Sequence, residues 1–395
     1  MDSAIEIEEP AMPRATGTRV DSMRSLRVLG VDPELGFAGG ETQVLGLTLG
    51  LLRAGHHAEL ACDPRGLLWE RARREHIECR PLAIRNALDF AAGMRLRNLL
   101  THSHYDVVHF HTSRAHSMAP FARGLAGALV VTRRMDYRPN RLFAPYLYNR
   151  AVDAVAAISS RVADSLNEAG VARDHVRIIP SGVDCERFQA ATPAEREAAR
   201  VATGVAPDDF LIGTVGMLEE RKGHRYLIEA IAILNRTLRG SVRIKCAIAG
   251  DGAMHAELAQ FAGQSGIARD TFFLGMIGDA RRLLDAIDIF VFPSLSEGLG
   301  VALLEAMACG LPVIASRVGG IVDIVEDGVT GLLVRPRDAQ SIADAITALI
   351  DDPPRRRRIA DAARKRVVEN FSMNAMTRNT IDLYRSCLMQ HGSAR

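Results

Sequence analysis

Two glutamates on either side of a glycine turn suggest a binding site for an anion that also carries hydroxyl groups. Glu297 precedes Gly298-Leu299-Gly300, and Glu305 lies eight residues after Glu297 within the apolar stretch 301–308, which predicts a buried helix beginning at Val301. The first N–H groups of such a helix lack partners, and its dipole adds positive charge there. A sugar nucleotide has hydroxyls on both sides of a diphosphate and matches this layout. The alternative is a buried helix with one capping and one ion-paired glutamate.

A rare lysine lies at the start of another predicted helix. Of 49 basic residues only Lys222, Lys245 and Lys365 are lysine. Because the chain otherwise uses arginine, a need for positive charge alone does not explain a lysine at position 222. Lys222 follows a strand at 210–215 and precedes Gly223, where its ammonium group could reach a diphosphate. The alternative is an exposed lysine in a turn.

The first half of the chain carries two weaker signals at the ends of predicted strands. Gly39 and Gly40 lie between a strand at 26–31 and a helix at 42–54, a unit that faces phosphates in doubly wound sheets. A simple tight turn is the alternative. His109 and His111 lie two residues apart on a strand, so they point to one face at its carboxyl end. They could bind a metal, but no nearby carboxylate completes a facial triad.

Strand and helix signals alternate along the chain, which predicts parallel sheets with helices on both faces. Strands are predicted at 26–31, 57–62, 79–84, 106–112, 128–132, 154–159 and 176–180, and again at 210–215, 242–249, 271–274, 289–292, 312–315 and 331–334. Helices are predicted at 42–54, 66–76, 88–102, 115–126, 142–151, 160–169, 224–236, 253–263, 280–286, 301–309, 339–350, 355–369 and 373–388. The α/β pattern therefore predicts two Rossmann-like doubly wound domains that face each other across a cleft.

The domain limits follow from these patterns. Residues 1–23 are polar without periodicity and are predicted to be a disordered tail. The N-terminal domain is placed at 24–190 and the C-terminal domain at 191–370, with residues 184–209, interrupted by prolines, as the connection. The last segment, 371–395, is predicted to be a helix that packs back toward the N-terminal domain.

Composition excludes several classes of protein. The chain has 395 residues and a net charge of +2, which argues against a protein dominated by nucleic-acid binding. Six scattered cysteines without a C-x-x-C pair favour a reducing compartment. No apolar run approaches about 18 residues and no signal peptide is evident, so a cytoplasmic protein is expected. The basic run 355–358 is interpreted as a solvated helix face, with contact to anionic lipid of the inner membrane as the alternative.

The residues from 293 to 312 resemble a known donor-binding signature. Their pattern is Pro-Ser-x-x-Glu-Gly-x-Gly-x-x-x-x-Glu-Ala-Met-Ala-x-Gly-x-Pro, which is similar to that of retaining glycosyltransferases of the GT-B fold, the group 1 or family 4 type. Residues 215–223 resemble the V-G-R-L…K-G motif of the same family, except that Met217 replaces an arginine. Ser181-Gly182-Val183-Asp184 resembles its interdomain element. The resemblance extends from Leu26 to the C-terminus.

This resemblance implies an enzyme that moves a hexose-like sugar from a nucleoside diphosphate donor to an acceptor hydroxyl with retention and without a metal ion or other cofactor. No Asp-x-Asp occurs in the chain, so protein cations are expected to balance the diphosphate. By this resemblance Glu297 contacts the hydroxyls of the donor sugar, Glu305 contacts the ribose, and the backbone at Met276 contacts the nucleobase. The diphosphate is held by Lys222 and the N–H groups of Gly298 to Val301, and Gly39 and Gly40 approach it from the other domain. His111 lies beside the donor sugar, and His109 serves in packing.

Arg221 is hypothesised to replace the arginine missing at Met217. A glycan or lipid-linked acceptor of the cell envelope is expected to bind the first half. The alternatives are a catalytically silent scaffold that binds a glycan or partner, and a sugar-nucleotide epimerase of the same fold.

Overall fold

The computed structural model describes residues 24–206, 208–238 and 243–393, so the tail predicted at 1–23 lies outside the described residues. Its first sheet consists of β1 (Arg27–Asp32), β2 (His57–Cys62), β3 (Glu78–Pro81), β4 (Val107–Phe110), β5 (Ala128–Arg133), β6 (Ala154–Ala157) and β7 (Val176–Ile178). The strands lie in the order β3-β2-β1-β4-β5-β6-β7, and all pairs are parallel.

The second sheet repeats this topology. It consists of β8 (Phe210–Val215), β9 (Ile244–Ala249), β10 (Thr271–Gly275), β11 (Ile289–Phe292), β12 (Val313–Ser316) and β13 (Leu332–Val334). The order is β10-β9-β8-β11-β12-β13, again with parallel pairs. The prediction of two Rossmann-like doubly wound domains is therefore confirmed.

Helices cover both faces of each sheet. Those around the first sheet are α1 (Gly39–Arg53), α2 (Leu67–Arg74), α3 (Phe90–His102), α4 (Ser113–His116), α5 (Ala119–Ala122), α6 (Ala144–Tyr146) and α7 (Ser160–Glu168). Those that follow are α8 (Pro193–Thr203), α9 (His224–Thr237), α10 (His255–Gln264), α11 (Arg281–Leu284), α12 (Val301–Ala308), α13 (Ile321–Ile324), α14 (Ala339–Asp351), α15 (Pro353–Asn370) and α16 (Met373–Ser393). Strands such as β5 and β11 are buried along their whole length, because helices shield them on both sides.

Prolines explain where the predicted helices differ from the observed ones. The single helix predicted at 115–126 is wrong, because Pro120 opens a separate helix, α5. The helix predicted at 142–151 begins later, near Pro145, and continues as a π-helix over Leu147–Ala151. The connection at 184–209 contains α8, in which Pro193 occupies the first turn. Proline is favoured there because the first N–H groups of a helix need no partner within it.

The N-terminus of α1 also differs from the prediction. The helix begins at Gly39, three residues before the predicted start, so both glycines of this segment lie in its first turn. A carboxylate oxygen of Glu41 accepts a hydrogen bond of 2.7 Å from the backbone N–H of Ala38, which satisfies a donor just before the helix.

The last helix returns to the first sheet. α16 packs against α1 and against β5 and β6. Two glycines of α1 allow this approach, because a Cβ at Gly46 would lie 2.5 Å from Cε of Met373 and a Cβ at Gly50 would overlap Oγ1 of Thr377. The C-terminal segment is therefore part of the packing around the N-terminal domain.

Candidate functional site

In both domains several of the predicted site residues lie at the switch point of the sheet. The chain leaves β1 and β4 toward opposite sides in the first sheet, and β8 and β11 toward opposite sides in the second. A crevice opens between the carboxyl ends of such strands, and ligands of doubly wound folds bind there. The loops after these four strands carry the glycines of α1, His111, Lys222 and Glu297.

The turn that carries Lys222 is held against the loop after β11. A short 3₁₀-helix ends at Lys222, and Gly223 follows with a φ of +66°, which favours glycine. A Cβ at Gly223 would overlap the carbonyl oxygen of Pro293. The backbone N–H of Leu295 also donates a 2.7 Å hydrogen bond to the carbonyl of Arg221. The Lys-Gly pair therefore brings two distant loops into contact.

Lys222 and Glu297 form an ion pair at this contact. The ammonium nitrogen of Lys222 bonds to Oε1 of Glu297, and the hydroxyl of Ser294 donates to the same oxygen at 2.9 Å. The Glu297 residue is only 7% exposed, and the ammonium nitrogen lies 5.2 Å from the ring centroid of Phe292. A cation and a carboxylate are thus fixed together at the carboxyl end of the sheet.

The turn after Glu297 presents unpaired backbone donors. No hydrogen bond within the described residues uses the N–H groups of Gly298, Leu299 or Gly300. Gly300, with a φ of +108°, precedes Val301, the first residue of α12. These donors and the start of α12 lie beside Lys222 and can hold an anion.

Glu305 faces a different group of charges. Its carboxylate has no hydrogen bond or ion pair within the described residues, and burial raises its pKa to about 7. Arg187 acts to lower that pKa and Asp279 to raise it, while these two form their own ion pair at 2.8 Å. The two signature glutamates therefore differ, since Glu297 is paired and Glu305 retains its full capacity to accept hydrogen bonds.

Two predicted donor residues lie at the edge of this arrangement. Arg221 pairs with Glu219 at 2.8 Å, and its side chain is 50% exposed. Met276 follows β10 and is 76% exposed. The structure brings neither side chain to the Lys222–Glu297 pair, so their predicted roles remain predictions.

The two candidate histidines of β4 and the loop after it, His109 and His111, are buried, and burial lowers the pKa of both. The rings of His109 and His111 lie 4.1 Å apart. His109 is held on both sides, with Nδ1 2.6 Å from the hydroxyl of Tyr384 and Nε2 2.7 Å from the hydroxyl of Thr132. Nδ1 of His111 has no partner, and burial lowers the pKa of His111 well below its usual value. His111 thus keeps hydrogen-bonding capacity, whereas that of His109 is used within the fold.

The two domains touch beside these groups. A Cβ at Gly298 would lie 2.7 Å from the carbonyl oxygen of Arg134, and the Ser296 hydroxyl donates to Asp136 at 3.0 Å. Ser160 donates through its N–H and its hydroxyl to the Asp323 carboxylate, both at 2.7 Å. The loop after Glu297 is therefore in contact with the first domain.

Sequence reasoning missed two charged residues in this region. Arg134 directly follows β5, and Asp32 ends β1 with only 1% exposure. Burial raises the pKa of Asp32 to about 7, and its Oδ2 has no partner. Their positions at carboxyl ends of predicted strands were a usable signal, but nothing in the sequence distinguished them from other charged residues.

Comparison with known proteins identifies the family. Residues 37–187 match the model of Glycosyltransferase Family 4, and residues 195–366 match the model of Glycosyl transferases group 1. The fold is GT-B, and the two family matches define the class of protein as a glycosyltransferase. The chain belongs to the group 1 glycosyltransferases.

Individual proteins that resemble this chain are also glycosyltransferases or share their fold. The chain is 34% identical to the alpha-maltose-1-phosphate synthase of Mycobacterium tuberculosis H37Rv over 60% of this chain, and it spans 63% of the length of that relative. It is 29% identical to a D-inositol 3-phosphate glycosyltransferase of Xylanimonas cellulosilytica, over 94% of this chain and 98% of the relative. The structure of Anabaena HepE in complex with UDP has the same fold, with a TM-score of 0.81, 23% identity and coverage of 91% of this chain and all of the other.

The described residues contain neither a cluster of metal ligands nor a helix that could span a membrane. Across residues 24–206, 208–238 and 243–393, no group of three or more His, Cys, Asp and Glu side chains is arranged to hold a metal ion. Of the helices within the same ranges, none has the length and apolar character needed to cross a bilayer.

Proposed function

We propose that this glycosyltransferase moves a hexose-like sugar from a nucleoside diphosphate sugar to an acceptor hydroxyl, with retention and without a metal ion. The observation that carries this proposal is the Lys222–Glu297 ion pair beside the unpaired N–H groups at Gly298 to Gly300. A carboxylate next to a cation and free amides suits a ligand with sugar hydroxyls next to a diphosphate. Retention rests on the family resemblance alone.

Charge on the departing diphosphate is the main problem that such a reaction poses. Lys222 and the amides that begin α12 would meet this charge, since fixed donors act strongly where water is excluded. Glu297 would accept hydrogen bonds from donor-sugar hydroxyls, and Glu305 from the ribose. Gly39 and Gly40 would approach the diphosphate from the first domain.

The donor nucleotide and the acceptor are the finer parts of the proposal. UDP in the HepE structure supports trials with UDP-sugars first, with GDP-sugars as the next choice. The names of the two relatives give alpha-maltose 1-phosphate as a product and D-inositol 3-phosphate as a substrate, which supports trials with phosphorylated sugars and cyclitols as acceptors. A glycan or lipid-linked acceptor in cell-envelope synthesis would bind the first domain, beside His111.

Peripheral contact with the cytoplasmic face of the inner membrane belongs to this proposal. Leu142, Phe143 and Tyr146 are 84%, 68% and 58% exposed on the first domain, which would suit a lipid-linked acceptor. Arg357 and Arg358 are exposed on α15. Sedimentation with vesicles that contain anionic lipid, before and after replacing these arginines by glutamine, tests the basic run directly.

Slow hydrolysis of donors tests the activity without knowledge of the acceptor. The protein is incubated with UDP- and GDP-sugars, with and without EDTA, and free nucleotide and sugar are measured. Release that EDTA does not change is the expected result. No release from any donor would favour the silent scaffold, and conversion of a donor to an isomer without release would favour the epimerase. The anomeric configuration of a product, read by NMR, tests retention.

A further inference from the structure

Arg134 lies where the glycine elements of the two domains meet. A Cβ at Gly40, in the first turn of α1, would lie 4.0 Å from Cδ of Arg134. On the other side, the carbonyl oxygen of Arg134 is the closest atom to the Cβ position of Gly298, at 2.7 Å. Arg134 therefore lies between these two elements, with its side chain beside the start of α1 and its backbone carbonyl against the turn that leads into α12.

The Arg134 guanidinium has little within the protein to balance its charge. Within the described residues no carboxylate oxygen lies within 4.0 Å of it, and Nη1 donates a hydrogen bond of 3.3 Å to the hydroxyl of Ser181. Nε is buried without a partner. Burial lowers the pKa of Arg134 to about 10, against the opposing effect of Asp32 and Glu41. A partly buried cation without close anions is costly, so an anionic ligand here would be stabilising.

The surrounding charges do not supply that anion. The carboxylate of Glu41 accepts the N–H of Ala38, and Asp32 has a raised pKa and carries only part of its charge near neutral pH. His109, His111 and His116 also face Arg134, and its charge acts to lower their pKa values. The groups around this guanidinium are therefore mostly neutral or used elsewhere.

We propose that Arg134 binds the diphosphate of the donor across the cleft and supplies the second cation that the second domain lacks at Met217. This inference rests on the proposed function. The Arg134 side chain lies beside the first turn of α1 and its backbone lies against Gly298, whereas Arg221 pairs with Glu219 and is half exposed. The diphosphate would then lie between Lys222 of one domain and Arg134 of the other. Donor binding would hold the two domains together.

Nucleotide affinity measured by calorimetry separates Arg134 from Arg221. The probes are UDP and GDP, with UMP and GMP for comparison. In Arg134→Gln, affinity for the diphosphate that binds the wild type should fall about 10- to 100-fold, as expected for loss of a hydrogen bond to a charged group. Affinity for the monophosphate should change less. The exposed control Arg138→Gln should stay within about threefold of wild type, and Arg221→Gln should lose less diphosphate affinity than Arg134→Gln.

Arg134→Lys distinguishes loss of the charge from misfolding of the variant protein. It retains the charge but loses the planar pair of donors, so it should recover part of the affinity. Circular dichroism and thermal unfolding check that each variant folds. Unchanged diphosphate affinity in Arg134→Gln would overturn this inference alone, as would an equal loss for monophosphate and diphosphate. A wild-type protein that binds neither UDP nor GDP would overturn the proposed donor class together with it.

Discussion

The hydroxyl of Tyr384 lies 2.6 Å from Nδ1 of His109, although 275 residues separate them in the sequence. This contact joins the last helix to the carboxyl end of β4, directly beneath the ring of His111 at the candidate site. The neutral imidazole of His109 donates through one nitrogen and accepts through the other, and both partners are side chains within the protein.

Tyr384→Phe should therefore destabilise the fold. It leaves a buried ring nitrogen without a partner, which should lower the free energy of unfolding by about 1–3 kcal/mol. Urea denaturation measures this change. Tyr146→Phe is the matched control, because Tyr146 is 58% exposed, and it should change stability by less than about 0.5 kcal/mol. Equal effects of the two substitutions would contradict a structural role for the Tyr384–His109 contact.

Removing the Lys222 ammonium should impair donor use. Lys222→Met leaves Glu297 without its cation and removes a charge from the proposed diphosphate site, so kcat/KM for the donor should fall about 100-fold or more. Donor hydrolysis or transfer is the measurement. Lys365→Met provides the control, because Lys365 is 76% exposed and its ion pair with Glu369, at 4.0 Å, is a long contact on the surface. Activity retained in Lys222→Met would show that the ion pair is structural.

Gly223 should tolerate no side chain. Gly223→Ala combines a φ of +66° with overlap between the new Cβ and the carbonyl oxygen of Pro293. Gly204→Ala is the control, since Gly204 has a φ of +71° and no atom within 4 Å of its Cβ position. The control should cost about 1–2 kcal/mol for the backbone alone. Gly223→Ala should lower the free energy of unfolding, measured by chemical denaturation, by more than the control does, and it should weaken donor binding as well. Equal losses in the two variants would mean that the backbone at Pro293 shifts to accommodate the new Cβ at little cost.

Asp32 should make stability fall as pH rises. Its folded-state pKa is raised to about 7 by burial, whereas the unfolded carboxyl titrates near 4. Below about pH 4 it is protonated in both states, and between about 4 and 7 only the folded state keeps the proton. Stability should therefore decline across this range by up to about 4 kcal/mol relative to Asp32→Asn.

Parallel urea denaturation of both proteins from pH 4.5 to 8 measures the Asp32 effect. The exposed control Asp164→Asn should keep the wild-type dependence. A constant difference between wild type and Asp32→Asn at every pH would rule out titration of Asp32 in this range.

Glu305 should give nucleotide binding a pH dependence of its own. Burial raises its pKa to about 7, so it is mostly protonated at pH 6 and mostly ionised at pH 8. An ionised carboxylate accepts from two ribose hydroxyls better than the neutral acid does. Affinity for the nucleotide should thus improve about three- to tenfold from pH 6 to 8 relative to Glu305→Gln, because titration of the nucleotide itself cancels in the comparison. Parallel profiles would indicate that Glu305 does not bind the ribose.

Much of the fold was predictable because its signals are local. Apolar runs between glycines and prolines define the strands, and strand–helix alternation requires parallel sheets. Lys222, Glu297 and the glycine turn were also recognised from local spacing. The misplaced elements have local causes too, since Pro193 starts α8 where the sequence predicts an interruption, and Pro120 divides a predicted helix.

The sequence alone determined the two doubly wound domains and the loops at their switch points, because each depends on neighbours within a few residues. Only the tertiary structure decided which charges meet. Lys222 reaches Glu297 because β8 and β11 are adjacent in the sheet, across 75 residues of chain. Arg134 lies near the start of α1 because β1 and β5 both flank β4 in the first sheet, and it contacts the Gly298 turn because the two domains touch there. Burial, which sets the pKa of Asp32 and Glu305, likewise depends on atoms that are distant in sequence.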